Sequence, residues 1–264
     1  MSTAMRILLI SDIHSNLQAL EAVLRDAGTV DAVWCAGDLV DYGTDPHGVV
    51  TWFRTHDVQC VSGNHDRHLL SILDSGETET LRGTDKWKWV HDNCERVTPE
   101  DVAYLRTRPL HLRLQADGID YLLQHQMGEG AYTYSMPESI GDFEQFWQEH
   151  AGTDALPERR LVFGHTHRRC IHRLDDRMLW LNPGSISYRR PDDQDKRAHY
   201  MVIDQGEILF RAVPYDRQPS YKRVLAYARS GKMLLTDLQD TMFFFGNAKT
   251  TRDPIPPEIA QGTE

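Results

Sequence analysis

Five apolar runs in this chain each end in a residue type that can bind a metal ion. ILLIS is followed by Asp12-Ile13-His14, AVWCAG by Asp38, and VQCVSG by Asn64-His65-Asp66. DYLLQ runs into His125, and LVFG into His165-Thr166-His167. Any one of these could be a cap or turn residue, because Asp, Asn and Gly favour strand ends for local hydrogen-bonding reasons. Turn chemistry does not demand histidine in four of the five places, so the set reads jointly as a metal centre. On an extended segment residues i and i+2 point the same way. Asp12 with His14, and His165 with His167, could then each grip one ion. Gly37, Gly63 and Gly164 precede ligands and permit close backbone approach. A mixed Asp/His/Asn set without thiolate suits Mn2+ first, with Fe2+, Zn2+, Ni2+ or Co2+ as rivals, over a Cys-type site.

Seven candidates (Asp12, His14, Asp38, Asn64, His125, His165 and His167) are too many for one ion and suit two that share a carboxylate. Two such ions about 3.5–4 Å apart form a clamp for in-line displacement at phosphorus and lower the pKa of a bridging water. Two divalent ions with two carboxylates and one hydroxide leave a positive centre. That centre would draw a phosphate ester despite a formal net charge of −10.

The elements that must position these residues are legible in outline. RILLIS (6–11), DAVWCAG (31–37) and VQCVSG (58–63) read as buried parallel strands. Helices at 16–28, capped by Asn16, and at 46–56, opened by Pro46, separate them in a βαβαβ pattern. Thr98-Pro99-Glu100-Asp101 starts another helix. Hairpins are expected around Asp117-Gly118, Asp175-Asp176 and Gln205-Gly206, with a strand at 161–164 between the first two, so the second half reads as largely antiparallel. In an open α/β sheet ligands gather at the carboxyl ends of strands, where these residues stand. A helix is expected over 219–230, followed by a loose polar tail. No second core is expected after residue 215, so 1–264 is one domain: a core over about 5–215 and a C-terminal helical appendage with a loose tail over about 216–264.

Composition limits the alternatives. The acidic balance and lack of a basic block argue against a nucleic-acid surface. No run is long enough to span a membrane, and the N-terminal apolar run is too short for a signal-peptide core. The four cysteines, none in a C-x-x-C, read as free thiols in a reducing, cytoplasmic setting. Trp87 and Trp89 in KWKWV read as a half-buried element rather than a binding face. Tyr132 and Tyr134 could stack on a substrate ring, and Arg189 and Arg190 could meet a phosphate.

The ordered set D-x-H … G-D … G-N-H-D … H … G-H-T-H, from residue 12 to 167, resembles the calcineurin-like metallophosphoesterase superfamily. NPGSIS (182–187) is similar to its small bacterial and archaeal phosphodiesterase branch. The resemblance implies an α/β fold, a four-layer α/β/β/α sandwich with mixed sheets. It implies one ion on Asp12, His14, Asp38 and His167, and a second on Asp38, Asn64, His125 and His165. His65 would act at the leaving-group oxygen, with Asp66 as its orienting neighbour. The implied activity is phosphodiester hydrolysis by in-line attack of a metal-bridging hydroxide on a small phosphate ester. Two features depart from the pattern or bear on rivals. The family often has glycine after the histidine placed at 125, where this chain has Gln126. GDLVDYG resembles the G-D-x-V-D-R-G of protein phosphatases, but Tyr42 replaces the arginine, which weakens a phosphomonoesterase reading. A metal-free scaffold, as in the retromer subunit of this superfamily, would be favoured by substituted ligands, and none is substituted here.

Overall fold

The computed structural model describes residues 4–128, 139–187 and 191–255. Tyr132, Tyr134, Arg189 and Arg190 therefore lie outside the described residues. The first half alternates β1 (Arg6–Ile10), α1 (Leu17–Ala27), β2 (Ala32–Cys35), α2 (Pro46–Thr55) and β3 (Val58–Cys60). Helices α3 (Asn64–Ser75), α4 (Glu77–Leu81), α5 (Trp89–Arg96) and α6 (Pro99–Arg106) follow. The second half holds β4 (His111–Ala116), β5 (Ile119–Gln124), α7 (Ile140–Ala151), β6 (Arg159–Val162), β7 (Cys170–Arg173) and β8 (Met178–Asn182). It closes with β9 (Ala198–Asp204), β10 (Glu207–Val213), α8 (Gln218–Ser230) and α9 (Leu235–Phe245). The helix starts follow from their caps. Asn16 accepts from the Ala19 amide, Asp45 from Gly48, and Thr98 exchanges bonds with Asp101.

Two mixed sheets pack face to face, in strand orders β10-β9-β1-β2-β3 and β4-β5-β6-β8-β7. The alternation along β1 shows why its apolar run is continuous. Leu8 and Ile10 face a core shared with α1, α2 and α3. Ile7 and Leu9 face Tyr121, Leu123, Val162 and Leu181 of the other sheet. The far side of that second sheet is covered by Phe143, Phe146 and Trp147 of α7, packed on Leu122, Leu161 and Trp180. These layers form the α/β/β/α sandwich.

The sequence reading needs two corrections. The second half is largely antiparallel and its three hairpins form, but β6 is an exception that pairs in parallel with both β5 and β8. Helix α7, unread in the sequence, supplies the long crossover that a parallel β5–β6 pair requires. There is also an apolar cluster beyond residue 215. Val224, Met233, Leu238, Met242 and Phe243–Phe245 pack around Trp87 and Trp89, both buried. The Trp89 indole donates to Thr241 Oγ1 (3.2 Å), and Leu234 N donates to the Trp87 carbonyl (2.8 Å). Three consecutive phenylalanines cannot stay exposed, and their cover comes from about 150 residues earlier, out of reach of a local pattern. All four cysteines are free thiols. Among the described residues no helix is long and apolar enough to cross a membrane.

Truncating Trp89 to Ala removes the centre of this cluster and its bond to α9. The Trp89→Ala variant should lose about 3–5 kcal/mol of unfolding free energy in urea. A loss below about 1 kcal/mol would show that α8 and α9 do not depend on it.

Candidate metal centre

The candidate ligands stand on the turns that leave β1, β2, β3, β5 and β6, all at the carboxyl edge of the two sheets. Adjacent turns are laced by backbone bonds. Asp12 N donates to the Gly37 carbonyl (3.0 Å), Ile13 N to the Asp38 carbonyl (2.8 Å), and Gly164 N to the His125 carbonyl (3.0 Å). The glycines permit this crowding. A Cβ on Gly63 would stand 2.0 Å from Asp38 Oδ1, and one on Gly164 would stand 2.0 Å from Ser11 Oγ. Asn182 Nδ2 donates to the Gly164 carbonyl (2.7 Å) and Ser185 Oγ to the Asp12 carbonyl (2.8 Å), so NPGSIS braces the turns from behind.

The expected extended geometry is absent. Asp12, His14, Asp38, His165 and His167 have φ of +55°, +46°, +57°, +62° and +59°. Each lies in the left-handed region, so side chains converge because the backbone curls at each strand end, not because of i, i+2 alternation. Such conformations cost of order 1–3 kcal/mol each and cluster where the surrounding structure enforces them.

Two groups result. Asp12, His14, Asp38 and His167 each place one ligand atom within 4.8 Å of the others, and all four are buried. Beside them, Asn64 Oδ1 lies 2.9 Å from both His125 Nε2 and His165 Nδ1, and His125 Nε2 is 3.1 Å from Asp38 Oδ2. Asp38 stands between the two groups. All seven predicted ligands thus meet in one place, and the side chain of Gln126 turns away to the Gly128 carbonyl (2.9 Å).

The donor set fits cations. Asp12 Oδ1 accepts from His165 N (3.2 Å) and Asp38 Oδ1 from His65 N (2.8 Å). The second oxygen of each, Asp12 Oδ2 and Asp38 Oδ2, is buried and accepts no hydrogen bond. The histidine tautomers say the same. His14 Nδ1 donates to the Val40 carbonyl (3.2 Å) and His125 Nδ1 to the Ala36 carbonyl (2.7 Å). In the neutral rings both Nε2 atoms then carry lone pairs. His14 Nε2 faces His167 Nε2 at 3.3 Å, and His125 Nε2 faces the Asp38 carboxylate. Lone pairs that converge in a buried space need positive charge between them. Burial holds His14 down to about 3 and His165 to about 4, the neutral state a ligand needs. Burial would also lower His125, but the adjacent Asp38 and Asp12 charges push it up to about 9.

His65 and Asp66 do different things from one another. Burial opposes charge on His65, yet Asp38 and a 2.8 Å bond from its Nδ1 to Asp41 Oδ2 push it up to about 9. The orienting role expected of Asp66 falls to Asp41. Asp66 turns instead to the backbone. It accepts from Asp38 N (3.1 Å), Leu39 N (2.8 Å), Val40 N (3.3 Å) and Gly63 N (2.9 Å). Sequence reasoning missed Asp41, although the second aspartate of GDLVDYG was a visible signal. Asn93 was also missed, and no pattern announced it. Its Oδ1 accepts from Asp41 N (2.9 Å) and its Nδ2 donates to the Gly43 carbonyl (3.0 Å), fixing the Asp41 turn.

A buried set of paired Asp/His ligands at the carboxyl edge of an α/β/β/α sandwich defines a class of metal-binding phosphoesterase folds. Residues 5–207 match the calcineurin-like phosphoesterase superfamily domain, and the chain belongs to that family. Over 230 residues it is 27% identical to an uncharacterized protein of Methanocaldococcus jannaschii, covering 83% of this chain and 91% of the relative. A symmetrical bis(5'-nucleosyl)-tetraphosphatase of Sodalis glossinidius is 42% identical over 69 residues, 24% of each chain. A metallophosphoesterase structure from Sphaerobacter thermophilus superposes with a TM-score of 0.64 at 25% identity, over 90% of this chain and 98% of that one. A hypothetical protein from Pyrococcus horikoshii superposes with a TM-score of 0.67 at 17% identity, over 92% and 98%.

Asn at 66 would turn an amino group toward two of the four backbone donors. Asp66→Asn should therefore lower unfolding stability by about 2–4 kcal/mol and weaken Mn2+ binding in calorimetry. Unchanged Mn2+ affinity would show that the Asp38 turn holds its shape without the clamp.

Proposed function

We propose that this phosphoester hydrolase is a two-metal phosphodiesterase that acts on a small phosphate ester. Asp12, His14, Asp38 and His167 hold one divalent ion, and Asp38, Asn64, His125 and His165 the other, with Mn2+ the best match to this oxygen and nitrogen set. The bound ions would supply Lewis-acid activation of water and neutralise charge at phosphorus. The chain's own residues do the rest. His65, held by Asp41, carries a proton and faces the cleft beside Asn64, so it donates that proton to the departing alkoxide. The observation that carries this reading is the Asp41–His65 pair next to Asp38, because Asp41 fixes the ring through Nδ1 and, among the described residues, no hydrogen bond engages its Nε2. Tyr42 supports the diester preference. Its ring lies 5.2 Å from His14 and 4.7 Å from His65, where a guanidinium would favour a dianionic monoester. The partial likeness to tetraphosphatases is consistent with a nucleotide substrate.

The test is hydrolysis of bis-p-nitrophenyl phosphate and p-nitrophenyl phosphate by chelator-stripped protein, with and without Mn2+. Metal-dependent turnover with the higher kcat/KM on the diester is expected. A monoester preference, or silence on both, contradicts the proposal. His65→Ala should reduce kcat by about 10²–10⁴-fold while metal content stays unchanged.

The pH profile gives a signed check. A proton donor is lost as pH rises through its pKa, so activity falls on the alkaline side. Asp41 is one of the causes that raise His65 toward about 9. Asp41→Asn must therefore move the alkaline limb of kcat to lower pH. A limb that stays in place would remove His65 as the donor.

A further inference from the structure

KWKWV is a sequence feature that the site so far leaves unused, and its Lys88 lines the cleft beside His65. Lys88 is extended, at φ −121° and ψ 168°, so its side chain projects opposite to those of Trp87 and Trp89. The two tryptophans are buried against α8 and α9, and Lys88 is exposed between them. It lines a cavity of about 370 Å³ that begins at His65 and is walled by Tyr42, His68 and Asp237. That volume holds about a dozen waters, far more than one phosphate.

Most of the wall comes from residues 41–90, and α9 adds Asp237 to it. Asp237 stands on α9, outside the family-matched span of 5–207. Its Oδ2 accepts from Trp89 N (3.1 Å), which ties α9 to the segment that presents Lys88. The other carboxylate of this wall, Asp41, is engaged by His65 (2.8 Å) and by Tyr42 N (2.7 Å). Among the described residues Lys88 has no ion pair within 4.0 Å and is the one Lys or Arg that lines this cavity.

We infer that this cleft seats the leaving half of the substrate, and that Lys88 binds a second phosphate carried on that half. The inference rests on the proposed role of His65 at the leaving oxygen, because that role sends the departing group to this side. A mobile ammonium is a point-charge phosphate binder that tolerates several approach angles. The preferred ligands are then phosphodiesters whose leaving half bears a second phosphate, and a nucleoside 3',5'-bisphosphate, with two separated phosphates, is the binding probe for that pair of sites. Asp237 opposes that anion and limits its affinity, so the two residues predict changes of opposite sign.

The test is calorimetric titration of the Mn2+-loaded full chain with adenosine 3',5'-bisphosphate and with adenosine 5'-monophosphate. The wild type should bind the bisphosphate about tenfold more tightly, the worth of one charge-assisted hydrogen bond. Lys88→Ala should erase that difference and leave the monophosphate affinity unchanged, while Lys88→Arg keeps it. Asp237→Asn, which retains the acceptor for Trp89 N, should tighten the bisphosphate alone. Equal loss for both ligands in Lys88→Ala, or discrimination that survives it, overturns the inference. Bis-p-nitrophenyl phosphate has no second phosphate, and its turnover in the same samples separates the two claims. Turnover without discrimination overturns only the Lys88 inference. Discrimination without turnover overturns only the phosphodiesterase reading.

Discussion

A carboxylate that reaches no cation organises this centre. Asp66 is buried in the first turn of α3, and its two oxygens accept four backbone N–H groups, three from residues 38–40 and one from Gly63. That clamp locks the turn after β2 onto the start of α3. Asp38 is thereby fixed at the point where both ligand groups meet. One helical turn thus divides three tasks: Asn64 faces the ligand cluster, His65 faces the cleft and Asp66 grips backbone. Burial and the neighbouring Asp38 charge push Asp66 up to about 6 even though backbone donors pull it down. The positive end of the α3 dipole offsets part of that cost.

The strain around the clamp is consistent with this view. The five candidate ligands with positive φ are joined by Asp41 (+71°) and Tyr42 (+55°) on the same rim. None is glycine, so the surrounding backbone bonds must hold these curls open. A side chain that binds an ion cannot be traded for glycine, and local preference yields to the ligand requirement. This is also where local reasoning failed in detail. The residue types at the strand ends were readable, because apolar runs of fixed length stop at them. Their conformations were not, because φ at Asp12 or His165 is set by bonds to residues far along the chain.

The same distinction runs through the fold. The βαβαβ start and the three hairpins were legible from periodicity, caps and turn residues. Helix α7 was not, although Ser139 caps it, because its apolar face is short and its neighbours are polar. Nor was α9, whose FFF run suits a strand as well as a helix until Trp87 and Trp89 cover it. Asp41 was visible but ambiguous, since a DYG turn explains an aspartate without any histidine. Asp66 was assigned to its sequence neighbour His65, whereas in α3 adjacent side chains point apart and the one facing the backbone became the clamp.

The C-terminal helices extend the architecture beyond the family-matched span. Two tryptophans inserted between α8, α9 and the sandwich anchor the C-terminal helices, and α9 thereby places Asp237 at the cleft beside His65. Most of the cleft lining, from Asp41 to Val90, lies within the family-matched span, and α9 adds Asp237 to it.

The most direct test of the central claim is anomalous diffraction at the manganese edge from crystals grown with Mn2+. The account predicts two peaks, both within ligand distance of Asp38, one toward Asp12, His14 and His167 and one toward Asn64, His125 and His165. A single peak, or peaks that do not share Asp38, would contradict it.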